Sequence, residues 1–156
     1  MHDKVFGEID YEYGWFRGYT YKIFDTEAKI RLVIPCDEGQ EIEPAQKEAF
    51  IRFDSNKNDM AASAEKAIFS YYLGIVDEYR EKLGVEFADE LAPKIDKPDH
   101  LALLVKPTEI IFQQSFSSQD RIVGLLFTCT WEPELGLAVK FVNELIEEVG
   151  TQDIVL

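Results

Sequence analysis

The feature that most constrains this chain is a hydrophobic period that changes twice along its length. Residues 4–35 alternate apolar and polar side chains and are rich in aromatic and β-branched residues. From Pro44 to Gly84 the apolar residues recur three or four apart, and from Leu101 to Val149 the alternation returns. A period of two belongs to strands and a period near 3.6 to helices, so the pattern predicts strands, then helix, then strands.

In the first block the expected strands are Val5–Ile9, Gly14–Phe24 and Ala28–Ile34, with turn signals at Tyr13-Gly14 and Asp25–Glu27. Pro44 suits a first helical turn, and Ala45, Gln46, Ala49, Phe50 and Phe53 follow at helical spacing. The polar run Asp54–Asp59 reads as a break. A second, longer helix then carries Ala61, Ala64, Ile68, Tyr71, Tyr72, Ile75 and Tyr79 on one face and ends near Gly84. Residues 85–100, with Pro93 and Pro98, read as an irregular connection with one helical turn at Phe87–Leu91.

The last block predicts strands at Leu101–Val105, Glu109–Gln113, Arg121–Trp131, Leu137–Val142 and Leu145–Val149, divided by Pro107, the Ser115–Asp120 stretch, Pro133 and Asn143-Glu144. The expected order is therefore βββ-αα-βββββ. Segregated strands and helices make this an α+β fold, with an antiparallel sheet of about seven or eight strands and two central helices packed on one face. A length of 156 residues fits one domain spanning residues 1–156.

The formal net charge is −14, and both halves of the chain share it: 16 acids against 9 bases in residues 1–78, and 14 against 7 in residues 79–156. Such a field repels nucleic acid and anionic membranes and speeds encounter with a basic protein. The N-terminal residues lack the basic start and apolar run of a secretion signal, and no window holds the ~20 apolar residues of a membrane span, so a cytoplasmic location is expected. Cys36 and Cys129 lie far apart without CxxC spacing, which suggests two reduced, part-buried strand residues and no zinc site.

Asp54-Ser-Asn56-Lys-Asn58-Asp59-Met-Ala-Ala-Ser-Ala-Glu65 places oxygen side chains at positions 1, 3, 5 and 12 of a calcium-loop pattern. Position 6, where glycine makes the sharp turn, is Asp59. The competing interpretation is a connector in which Asn58 or Asp59 caps the second helix. His2 and His100 are the only histidines and do not form a metal-ligand motif; no GxSxG, P-loop or GxGxxG is present. Carboxylate pairs such as Asp37/Glu38, Glu132/Glu134 and Glu147/Glu148 are too abundant to single out an acid and a base. No catalytic residues, metal ligands or cofactor are expected, beyond Asp54, Asn56, Asn58 and Glu65 as a weak cation alternative. Trp131, where a long apolar strand runs out into a turn, either packs in the core or stands half exposed beside Glu132 and Glu134 as an interface anchor.

The segments Arg121–Phe127, Cys129–Phe141 and Glu148–Leu156, with Phe6–Ile9, Ala45–Ala49, Tyr71-Tyr72 and Val105–Ile110, resemble a bacterial family of domains of unknown function. The resemblance implies an α+β fold and a bacterial, intracellular origin, and it carries over no catalytic residues. A looser similarity links such small acidic domains to immunity proteins of polymorphic-toxin systems. The expected function is a non-enzymatic, acidic domain that binds a basic protein, such as a toxin domain, through Trp131, Glu132, Glu134, Glu147 and Asp153. The alternative is a small-molecule or cation-binding module.

Overall fold

A computed structural model describes residues 1–116 and 118–156; Ser117, inside the expected Ser115–Asp120 connection, lies outside the described residues. Two short strands, β1 (His2–Asp3) and β2 (Gly7–Glu8), pair as a ribbon of their own. Strands β3 (Asp10–Tyr11), β4 (Trp15–Ile23), β5 (Thr26–Ile34), β6 (Val105–Gln113), β7 (Ile122–Cys129), β8 (Leu137–Val142) and β9 (Leu145–Gly150) form a seven-stranded sheet in chain order. Helices α1 (Pro44–Leu83) and α2 (Val85–Leu91) lie in the long connection between β5 and β6. The fold is α+β, as the periods imply.

Alternation along the strands decides which face is buried. Tyr19, Tyr21 and Ile23 of β4, Ile30, Leu32 and Ile34 of β5, and Ile110 and Phe112 of β6 all turn toward the core. Val123, Leu125 and Phe127 of β7 and Leu137, Val139 and Phe141 of β8 continue that face. Against it α1 lays Phe50, Phe53, Ala64, Ile68 and Tyr72, and aromatic contacts join the layers: Tyr21–Phe53 at 5.5 Å, Phe50–Phe112 at 5.4 Å and Phe6–Phe50 at 5.0 Å between ring centroids. The opposite face is covered in part by the chain's own C-terminus, where Val155 packs on Ile111, Leu126 and Ala138. Gly124 makes this possible, because a Cβ there would stand 2.8 Å from Val155 Cβ.

Four expectations are corrected. The two expected helices meet without a connector in one 40-residue element that kinks at Asn56, φ −118° and ψ 16°, so the run Asp54–Asp59 marks a bend in place of a linker. Ser55 Oγ and Asn56 Nδ2 donate to the carbonyls of Ile51 and Arg52, four residues back, at 3.0 and 2.8 Å. Side-chain bonds of this kind compete with the helical ladder, and here they accompany the kink. The apolar stripe then resumes at Met60, Ala61 and Ala64, all buried. Second, 85–91 forms a full short helix, because Arg80 Nη1 reaches the carbonyls of Ala88 and Ala92 at 3.1 and 2.9 Å and folds it back onto α1.

Third, Leu101–Leu103 belongs to a 3₁₀ turn, Pro98–Leu103, and β6 starts at Val105 and runs through Pro107, where the register shifts against β7. A bulge accommodates the missing N–H of proline, so Pro107 does not divide strands. The C-terminal block therefore has four strands, and at the N-terminus the expected strand Val5–Ile9 is replaced by the ribbon and β3. Fourth, the sheet is not wholly antiparallel: β5 and β6 run parallel, with Arg31, Leu32 and Val33 opposite Glu109, Ile110 and Ile111. A parallel pair needs a long crossover, and the helical block between them supplies it.

That crossover is pinned by Gln46, which is completely buried. Its Oε1 accepts from the Glu43 N–H at 2.9 Å, and its Nε2 donates to the carbonyls of Pro35, just after β5, and Phe112, near the end of β6, at 2.7 and 2.9 Å. At the same end of the sheet the β8–β9 hairpin turns on Asn143 and Glu144, both at positive φ, 51° and 69°. This is the left-handed pair that a tight two-residue hairpin requires, formed here without glycine. Arg121 makes it tenable, since Nε and Nη2 clamp the Glu144 carboxylate at 2.8 and 2.9 Å and the Arg121 N–H donates to Asn143 Oδ1 at 3.0 Å. Among the described residues, no helix is long and apolar enough to cross a membrane.

Gln46→Leu keeps the volume and strands two buried carbonyls, so urea denaturation should show a loss of about 3 kcal/mol. A variant within experimental error of wild type would refute the pinning role. Arg121→Met should destabilise by about 1–2 kcal/mol. Glu144→Gly, which relieves the positive φ while losing the ion pair, should stay within about 1 kcal/mol of wild type.

Candidate functional site

Trp131 is 3% exposed, so the half-exposed anchor is not formed and the core alternative describes it. The end of β7 is held inward by Thr130, whose N–H donates to Leu104 O at 2.9 Å and whose Oγ1 donates to Leu91 O at 2.7 Å. The indole then meets Tyr72 edge-on at 4.8 Å, and the Tyr72 hydroxyl is spent on Pro93 O at 2.7 Å. Nothing is left of the ring to offer a partner.

The acids that follow it are arranged differently. Residues 132–136 close a turn in which Gly136, at φ 64°, donates to Glu132 O at 3.0 Å. The C-terminal 3₁₀ turn Gln152–Ile154 is stapled to it: Gln152 N–H donates to Leu135 O, and Gln152 Nε2 donates to Phe127 O, both at 3.0 Å. This brings Asp153, which accepts from Thr151 Oγ1, to the same end of the molecule as Glu132 and Glu134. Tyr79 of α1 donates its hydroxyl to Glu132 Oε1 at 3.1 Å. Tyr71, two turns earlier, stands among Glu132, Asp153 and Glu78, whose charges add to burial in pushing its phenol up.

The result is an acidic patch in which Glu132, Asp153 and Glu78 lie near two part-buried tyrosines, Glu134 and the 54% exposed Leu135 stand in the adjoining turn, and Lys82 pairs with Glu78 at 3.3 Å with its Nζ 5.1 Å from the Tyr79 ring centroid. Glu147 sits on β9, where Lys140 Nζ takes its carboxylate at 3.2 Å. Of the acids singled out in the sequence, Glu132, Glu134 and Asp153 lie at this end of the molecule; Tyr71, Glu78 and Tyr79 are not among the residues singled out there for a site. The tyrosines carried no separate signal, because their spacing placed them in the apolar stripe of the helix. Cys129, beneath the patch, is pushed up to about 12 by burial, so its thiol is not a nucleophile near neutral pH.

The calcium-loop geometry does not form. Asp54, Asn56, Asn58 and Glu65 lie along a helix, and eleven residues at 1.5 Å each put the first and last about 16 Å apart. Their polar groups serve the fold: Asp54 Oδ1 accepts from the Tyr19 hydroxyl at 2.7 Å, Asn56 Nδ2 bonds its own helix, and Glu65 Oε1 accepts from Phe24 N–H at 2.5 Å. That last bond holds the β4–β5 turn, where Phe24 and Asp25 are both at positive φ. Asn58 and Glu65 then line an open groove of about 770 Å³ against Lys22, Asp25 and Asp99.

Burial, followed by the hydrogen bond to Glu132 and its charge, raises the Tyr79 phenol to about 12. A folded value above the unfolded value near 10 means that its contribution to stability is complete below pH 10 and is lost as pH rises through 12. Glu132→Gln removes the charge, so ultraviolet titration should show the Tyr79 midpoint moving down toward 10. An unmoved midpoint would break the link between the two groups.

No curated protein and no solved structure matches this chain. A family model does, over residues 5–156, which take in the seven-stranded sheet, both helices and every residue of the acidic patch. The chain belongs to the family described as Domain of unknown function (DUF6985).

Proposed function

We propose that this chain is a non-catalytic protein-binding domain that presents an acidic face to a basic partner. The observation that carries the proposal is the convergence of Glu132, Asp153 and Glu78 on Tyr71 and of Glu132 on Tyr79, beside the exposed Glu134, in a chain of net charge −14. Long-range attraction steers a basic surface toward this end, and tyrosine and Leu135 supply the apolar contact that charge alone lacks. A basic toxin domain, neutralised when its cleft is covered, has the chemistry this face complements. The looser resemblance to immunity proteins points the same way. In a bacterial cytoplasm both buried cysteines would stay reduced.

A basic protein captured on the immobilised chain at low salt should be released at ~0.5 M salt, where the screening length falls to about 4 Å. Changing Glu78, Glu132 and Glu134 to Gln and Asp153 to Asn should slow association at least tenfold and leave dissociation nearly unchanged. Glu147→Gln alone and Glu78→Gln alone, which alter carboxylates already paired with Lys140 at 3.2 Å and Lys82 at 3.3 Å, should each have little effect. Salt-insensitive capture, or equal association by the fourfold variant, would refute the acidic-face mechanism.

A further inference from the structure

Three arginines each hold a carboxylate: Arg52 holds Glu48 at 2.9 Å, Arg80 holds Asp89 at 2.7 Å and Arg121 holds Glu144 at 2.8 Å. Arg17 of β4 is placed otherwise. Its guanidinium carbon lies 5.6 Å from the ring centroids of both Tyr19 and Phe50, and its Nη1 donates to the neighbouring Gly18 O at 3.2 Å. Among the described residues it makes no ion pair, and its Nε–H is shut off from water without an acceptor. An enclosed donor on a charged group, left unpaired, is costly, and structures rarely keep one without a use for it.

Arg17 lines a cleft of about 600 Å³ between the β1–β2 ribbon and β4, together with Val5, Gly7, Gly18, Phe50 and Asp54. The carboxylates around it are already engaged. Asp3 Oδ1 accepts from the N–H groups of Val5 and Phe6 at 2.8 and 2.9 Å, and its Oδ2 lies 3.6 Å from Lys47 Nζ. Glu8 is held by His2 at 2.8 Å, and Asp54 by the Tyr19 hydroxyl at 2.7 Å. Room is left where side chains are missing, since a Cβ at Gly7 or at Gly18 would meet no atom within 4 Å. Gly7, at φ 81°, also gives the ribbon a joint at which it can shift to admit a ligand oxygen.

We propose that this cleft binds a small organic acid, with its carboxylate on Arg17 and its apolar body against Val5 and Phe50. The planar guanidinium matches a carboxylate in shape and donor spacing. Arg17 is the one guanidinium lining this cleft, and in a chain of net charge −14 it complements a monoanion better than a phosphate dianion. The volume falls in the range of small-ligand pockets, and the walls combine the apolar surface of Val5, Phe6 and Phe50 with the cations Arg17 and Lys4 and with the engaged carboxylates of Asp3, Glu8 and Asp54. The site lies on β4 and the N-terminal ribbon, apart from the acidic patch, and stands or falls independently of it.

The test is a titration of the full chain with phenylacetate at low salt, following the Arg17 Nε–Hε signal and the Phe50 ring signals by nuclear magnetic resonance. The expected result is a saturable shift of both, complete by about 10 mM, with neutral phenylacetamide leaving the Arg17 signal in place. Arg17→Met should weaken binding at least tenfold, read from the Phe50 signals. Should that variant not fold, Arg17→Lys keeps the charge without the fork and should weaken binding at least threefold. The absence of a saturable Arg17 shift in the wild type overturns the proposal. So does equal binding of the amide, unchanged affinity in the folded variant, or a response to inorganic phosphate in place of phenylacetate.

Discussion

The structure depends on one buried amide. Gln46 sits three residues into α1 at the point where the chain leaves one parallel strand and will return as the next, and it bonds the helix start, the end of β5 and the end of β6 at once. A carboxamide can do this because it carries donors and an acceptor on one planar group. An apolar residue would fill the space and leave the two strand-end carbonyls unpaired in the core. Glu43 extends the junction, since its Oε1 accepts from the N–H of Ser115 at 2.9 Å and draws the segment after β6 toward the start of the helix. With strand ends and helix start fixed together, α1 must lie across the sheet, and Phe50 and Phe53 reach Phe112, Tyr19 and Tyr21 as a consequence.

The two ends of α1 serve different purposes. At the N-terminal end, aromatic packing and the Gln46 junction leave the cleft in which Arg17 stands unpaired. Farther along, Tyr71, Tyr72 and Tyr79 meet the turn after β7, and that turn is held by the chain's own C-terminus through Gln152. Gly124 permits Val155 to approach the outer face of the sheet, and Gln113 Nε2 fixes its carbonyl at 2.9 Å. Residues separated by 82 positions, Tyr71 and Asp153, are thereby placed on one surface. The acidic patch is a product of how the terminus folds back and has no counterpart in any local motif.

The positions where sequence reasoning and structure part share a cause. Polar residues 54–59 read as a break because local composition favours turns, and the helix does kink there at Asn56, yet the apolar stripe resumes in the core at Met60, Ala61 and Ala64 and carries the helix on. Pro107 read as a strand boundary because it lacks an N–H, yet a bulge removes the need for one. Trp131 followed by acids read as an interface anchor, yet Thr130 ties the backbone inward and Tyr72 covers the ring. In each case a contact supplied from elsewhere in the chain overrode a local preference.

The sequence by itself determined the α+β class, the position of the helical block between two sets of strands, the hairpin at Asn143-Glu144, the end of the long helix at Gly84 and the sign of the surface. These follow from side-chain period, turn chemistry and charge, all of which act over a few residues or over the whole sum. Only the tertiary structure decided that β5 and β6 run parallel, that Glu132 and Asp153 meet Tyr71 and Tyr79 while Glu78 pairs with Lys82 and Glu147 with Lys140, and that Arg17 alone among the core-facing residues of β4 carries an unpaired charge. Those outcomes depend on which distant groups satisfy one another's hydrogen bonds and charges, and that pairing exists only once the chain has closed on itself.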